Sequence, residues 1–141
     1  MARGYASRWL IEEYHKAVKT GTHVEDSQLS AYDRVSALFA IHAVVAVDLL
    51  NLKLLARTCP DEPITDRTIS PETLEVLEKV HGRPQGGWTN DVLMRTIACM
   101  GGYQNRRNDG PPGWISIWRG WRRLTTMAEG YMLAKAYGTY G

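Results

Sequence analysis

The stretch from Ala37 to Ala56 constrains the fold of this chain more than any other. It is apolar over several turns and interrupted by His42, Asp48, Asn51 and Lys53. Its apolar residues fall on nearly every side of a helical wheel, so it predicts a helix that expects neighbours all round. The polar interruptions argue for a buried helix rather than a membrane span. A chain of 141 residues suits one domain or part of a larger one.

The rest of the chain reads as four further helices and no strand. The first runs from about Tyr5 to Lys19, where Gly21 is expected to stop it. Ser30, three residues before Asp33, opens the long apolar helix, which continues to about Arg57. CPDEPITDRTI (Cys59 to Ile69) carries two prolines and reads as a linker. Ser70-Pro71-Glu72 is a helix start: a capping hydroxyl, proline in the first turn, then an acid at the positive end. That third helix ends at Gly82, and GRPQGG forms a turn. Thr89 or Asn90 caps a fourth helix that reaches Met100. GGYQNRRNDGPPG (Gly101 to Gly113) is a loop, and a last helix runs from Trp114 to about Tyr137. The first two helices are too apolar to satisfy only each other, which points to a missing layer. Met1 is then expected to fall inside a larger fold.

Composition excludes several classes. Net charge is +2, so bulk charge predicts neither nucleic-acid nor membrane binding, and any such claim needs local clustering. Cys59 and Cys99 form no CxxC pair, which argues against a disulfide scaffold or zinc site and fits a reducing cytoplasm. MARGYASRWL has no apolar core and does not read as a signal peptide. His15, His23, His42 and His81 lack metal-ligand spacing. Gly86-Gly87 and Gly101-Gly102 are turns, since neither precedes a lysine in a phosphate-loop pattern.

The first helix carries the chemistry. At 100° per residue, Tyr5, Arg8, Glu12, His15, Lys16 and Lys19 share an arc of about 100°. Leu10, Ile11, Tyr14, Ala17 and Val18 take the opposite side. One reading is a solvated helix whose four-residue salt bridges are each worth roughly 0.3–0.5 kcal/mol. The other is a phosphodiester site, with a metal-holding glutamate among cations and a phenol that grip DNA phosphates. A single carboxylate does not build a magnesium site, and Glu13 points off the face.

The order Tyr5, Arg8, Glu12, Lys19 resembles the Tyr-Arg-Glu-Lys signature of bacterial insertion-sequence DDE transposases, the transposon-five group. The likeness extends without a gap from Tyr5 to Gly21, through RW, IEEYHK and KTG. It implies a ribonuclease-H-like fold in which two aspartates on a central sheet join a glutamate to hold two Mg2+ ions. By resemblance, Glu12 is the third acid and a metal ligand. Tyr5, Arg8 and Lys19 contact transposon-end DNA, with Lys16 a further candidate. The implied chemistry is metal-assisted phosphoryl transfer, in which water nicks the DNA and the freed 3′-hydroxyl then attacks. The family's aspartates lie upstream of the glutamate, whereas Asp26, Asp33 and Asp48 follow it here. The expectation is therefore that these residues alone neither hold catalytic metal tightly nor cleave DNA. The expected fold class is mainly α: a helical C-terminal fragment of a ribonuclease-H-like transposase, without its β-sheet. Residues 1–58 are its last catalytic-domain helices, and 59–141 are a helical dimerisation domain.

MRTIACMGGYQNRRNDGPPGWISIWRGWRRL (Met94 to Leu124) resembles the same transposases, in which a helix leads through a Gly-Gly turn and basic loop into a tryptophan-rich final helix. On that helix Trp114, Trp118, Trp121, Thr125, Ala128 and Met132 form an apolar stripe, which is either intramolecular core or a partner surface. The family's last helix pairs two transposases. The expected contact is Met127 to Tyr137, with Met127, Tyr131 and Met132 around Gly130. Arg106, Arg107, Arg119, Arg122 and Arg123 make the one dense basic cluster, read either as solvated charge or as phosphate contact. The expected partners are transposon-end DNA and a homodimer or a mixed dimer with full-length transposase, with no membrane. Three functions stay open: a transposase remnant, an enzyme half completed in trans, and a non-catalytic protein that inhibits intact transposase.

Overall fold

A computed structural model describes residues 2–22 and 32–138. Five helices account for most of them: α1 (Ala2–Thr22), α2 (Tyr32–Thr58), α3 (Pro71–His81), α4 (Asn90–Met100) and α5 (Trp114–Tyr137). Among the described residues there is no strand, only an isolated bridge between Pro63 and Thr89. The chain divides into two compact units, Met1–Lys53 and Leu54–Gly141.

In the first unit α1 runs past Gly21 rather than stopping there. Glycine in a helix costs about 1 kcal/mol relative to alanine, which neighbouring turns absorb. Ala17 and Val18 are buried, as the periodicity predicts. Ile11, expected on the core side, is 58% exposed. Its wheel position borders the outward face, where the buried arc has already ended. His23 to Ser30, including the expected cap at Ser30, lie outside the described residues.

The α2 helix departs most from expectation. Ala46 and Leu49 are buried in the first unit, yet Phe39, Ile41, Val44 and Val47 are exposed. Phe39–Thr58 is the one segment among the described residues long and apolar enough to cross a membrane, with 22% of it buried. Asp48 and Asn51 share the exposed face with Ile41, Val44 and Val47. A carboxylate and an amide there argue against surrounding lipid. The expected fully buried helix is thus covered on one side.

The second unit is built as the local signals predict. Ser70 caps α3, its hydroxyl accepting from the Thr73 amide at 3.2 Å. Thr89 caps α4 by accepting from the Val92 amide at 3.3 Å. The segment expected to be a linker is pinned to the start of α4. The Asn90 and Asp91 amides, orphans at a helix start, donate to the carbonyls of Glu62 (3.0 Å) and Pro60 (3.2 Å). The buried Asn90 side chain donates to the Cys59 carbonyl at 2.9 Å.

The core of this unit gathers Leu77, Leu93, Ile97, Ile117 and Leu124, all almost fully buried. Trp114 and Trp118 join them, so these two tryptophans are intramolecular core. Where α4 meets α5 the contact is backbone on backbone. A Cβ on Gly120 would fall on the carbonyl oxygen of Ile97, and one on Gly101 on that of Ser116. Two glycines therefore set the distance between these helices.

Candidate functional site

The outward face of α1 carries the residues singled out in the sequence. Arg8, Glu12, His15, Lys16 and Lys19 all lie on the accessible side of the helix. Tyr5 stands on the same helix, and its side chain lies outside the described residues. Arg8 Nε donates to Glu12 Oε1 at 3.2 Å, with the two side chains 80% and 58% exposed. An exposed pair of this spacing is worth roughly 0.3–0.5 kcal/mol, so little holds the Glu12 carboxylate against a stronger partner.

Lys16 does not flank Glu12 as the spacing suggested. Its Nζ lies 3.6 Å from Glu13 Oε1. Glu13 itself is buried, and Lys53 Nζ of α2 donates to its Oε2 at 3.3 Å. This cross-helix pair sets the rotation of α1. With Glu13 and Ala17 turned inward, Glu12 and Lys19 must face out. Sequence reasoning left Glu13 without a role, and nothing within α1 signals a partner forty positions away.

A magnesium ion needs several hard oxygen ligands. Among the described residues no three of His, Cys, Asp and Glu gather in one place. The acid next to Glu12 is committed to two lysines. The residues present do not by themselves fit the metal that the resemblance implies.

In the second unit the three residues expected at a pairing surface divide. Met127 and Met132 are 38% and 39% exposed. Tyr131 is half-buried and tied to α3: its hydroxyl donates to Glu75 Oε1 at 2.8 Å. Lys79 and Lys135 approach its ring at 5.6 and 5.8 Å. The Tyr131 hydrogen bond, aided by Lys135 and Lys79, holds the Glu75 carboxyl below its usual range. The same bond holds the Tyr131 phenol above its usual range. The tie is therefore complete at neutral pH. It is lost as acid passes the lowered Glu75 value, or as base passes the raised Tyr131 value. Beyond Ala128, the side of α5 away from Tyr131 carries Met132, Leu133, Ala134, Ala136 and Tyr137, all exposed.

The loop between α4 and α5 is braced by Arg95, which sequence reasoning did not single out. Its Nε donates to Asp91 Oδ1 and Oδ2 at 3.1 and 2.9 Å. Its Nη1 donates to Tyr103 Oη at 3.0 Å and Asn105 Oδ1 at 3.1 Å. The four-residue Asp91–Arg95 spacing was the available signal, and it foretold only the first of these bonds. A cavity of about 240 Å³ opens beside the loop, lined among others by His81, Arg83, Trp88, Cys99 and Asn105. Burial pushes the Cys99 thiol up, so it stays protonated and is a poor nucleophile. The chain matches no protein-family model.

Proposed function

We propose that this chain is the C-terminal, glutamate-bearing and pairing portion of a cut-and-paste DDE transposase of the ribonuclease-H-like class. One observation carries the reading. The residues that resemble the family signature, Arg8, Glu12 and Lys19, share the exposed side of α1, while a buried Glu13–Lys53 pair holds the opposite side inward. In this role Arg8, Lys16 and Lys19, with Tyr5, grip the phosphates of a transposon end. Glu12 supplies one acid of a catalytic trio whose other members these residues do not contain. The exposed apolar face of α2 supports a larger catalytic core around the first unit.

Replacing Arg8, Lys16 and Lys19 together by alanine should cut affinity for a short DNA duplex by about tenfold near 0.1 M salt. Fluorescence anisotropy measures this. Unchanged affinity in a variant with parental circular dichroism removes the phosphate-gripping role.

The exposed end of α5 favours a second element of the proposal, pairing with another copy or with intact transposase. Gly130 decides it. A Cβ there meets nothing within 4 Å in this chain, so Gly130→Ala should stabilise α5 by about 1 kcal/mol. If a second helix crosses closely at Gly130, the same change weakens the dimer at least tenfold. Sedimentation equilibrium beside thermal melting reads both. A dimer as tight as the parent's places the pairing contact elsewhere.

A further inference from the structure

We infer that Glu75 of α3 is a latch for the end of α5: by holding Tyr131 and Lys135 it fixes the direction of the helix beyond its last packed turn, and with it the face proposed to pair. The consequence for pairing rests on that reading, while the latch itself stands on α3 and α5 alone.

Packing along α5 ends early. Ala128 is the last buried residue of the helix, although α5 runs on to Tyr137. Gly130 follows two residues later, and glycine is among the weakest helix formers. A few turns of helix without packing are marginal in water. Residues 129–137 therefore need a tether beyond Gly130.

Glu75 supplies it. α3 lies against α5, and the Tyr131 hydroxyl donates to Glu75 Oε1 at 2.8 Å. Lys135 Nζ lies 3.6 Å from Glu75 Oε2. Both oxygens of one carboxylate are thus committed to α5, on residues one turn apart. Lys79, one turn along α3 from Glu75, stands 5.6 Å from the centre of the Tyr131 ring, so the ring is held as well as its hydroxyl. The phenol stays protonated and the carboxyl charged at neutral pH, as a charge-assisted bond between them requires. The Glu75 and Lys135 side chains are 40% and 59% exposed. The latch is therefore at the surface, where it can open without disturbing the core.

Holding Tyr131 inward decides what faces out. At 100° per residue, Gly130, Leu133 and Tyr137 lie about 100°, 160° and 120° round the helix from it, all on one side. Leu133 and Tyr137 are 59% and 69% exposed, and the space beside Gly130 is open. Spacings of three and four residues line them up as a seam of the kind along which two helices pack. A bend at Gly130 swings Leu133 and Tyr137 out of that line.

The test follows amide exchange along α5 in the full chain at neutral pH. Tyr131→Phe keeps the ring and removes the hydroxyl. Glu75→Gln keeps an acceptor and removes the charge that holds Lys135. Each should speed exchange of the residue 131–137 amides about fivefold and leave those of 117–124 at the parental rate. The double variant should be little worse than either single, because both break one bond. Adding Gly130→Ala to Tyr131→Phe should slow exchange again, since it strengthens the helix where packing ends. Parental exchange in both single variants overturns the inference, as does faster exchange spread evenly along α5, which is general destabilisation. Sedimentation equilibrium then reads the consequence: each single variant should weaken the dimer about fivefold, the same factor by which the ordered end is depleted. Parental pairing with a loosened helix end overturns the link to the pairing face. A parent chain that stays monomeric removes the pairing reading instead, and exchange alone decides the latch.

Discussion

Gly120→Ala is expected to lower the stability of the second unit by about 3 kcal/mol, an overpacking cost at the upper end of the usual range. Taken alone, alanine favours the α5 helix by about 1 kcal/mol over glycine, so local propensity predicts the opposite sign. The tertiary contact reverses it. The new methyl would coincide with the Ile97 carbonyl oxygen, a backbone atom that no rotamer change can move aside. The α4 and α5 backbones must separate, loosening Ile97, Ile117 and Leu124, which are buried nearly completely around them. The melting midpoint should fall by roughly 15 °C for a domain of this size. Gly130→Ala, ten residues along the same helix and facing open space, is the internal control and should raise the midpoint. Equal effects at the two positions would mean that the close approach of the helices is not what Gly120 provides.

The second large effect belongs to the first unit. Lys53→Met takes from the buried Glu13 carboxylate its ion-pair partner on α2, while Lys16, on a side chain 66% exposed, stays at 3.6 Å. Breaking a buried ion pair from one side typically costs about 3–5 kcal/mol. The surviving Lys16 interaction and the partial exposure of Lys53 (19%) reduce this to about 2 kcal/mol. The weakening should appear as faster amide exchange along α1, since this pair ties α1 to α2. Joining Lys53→Met with Glu13→Leu should restore most of the protection, because two apolar groups replace two charges that were costly to desolvate. If Lys53→Met leaves α1 exchange unchanged, the pair does not set the helix's rotation, and the outward aim of Glu12 has another cause.

Much of the second unit could be read directly from local chemistry. Ser70 and Thr89 cap because their hydroxyls reach amides three residues on, and Pro71 begins α3 because its missing donor is not needed there. The two faces of α1 followed from a repeat of about 3.6 residues, with Ile11 misplaced because it sits at the border between them. Other features depended on segments distant in sequence. The cover over α2 depends on what packs against it, and apolar spacing alone does not reveal which side receives a neighbour. The role of Tyr131 turned on Glu75, fifty-six positions earlier, and that of Gly120 on the carbonyl of Ile97.

By itself the sequence determined the elements: five helices, the capping hydroxyls of α3 and α4, the face of α1 that bears Arg8, Glu12 and Lys19, and a charge surplus after Gly101. These rest on interactions within one or two turns, where the spacing of residue types is also their spacing in space. Tertiary structure alone decided that Glu13 is buried against Lys53, that Arg95 holds a loop in place, and that two glycines set the α4–α5 distance. Each of those depends on atoms brought together by the folded backbone, and a one-dimensional pattern carries no record of such distances.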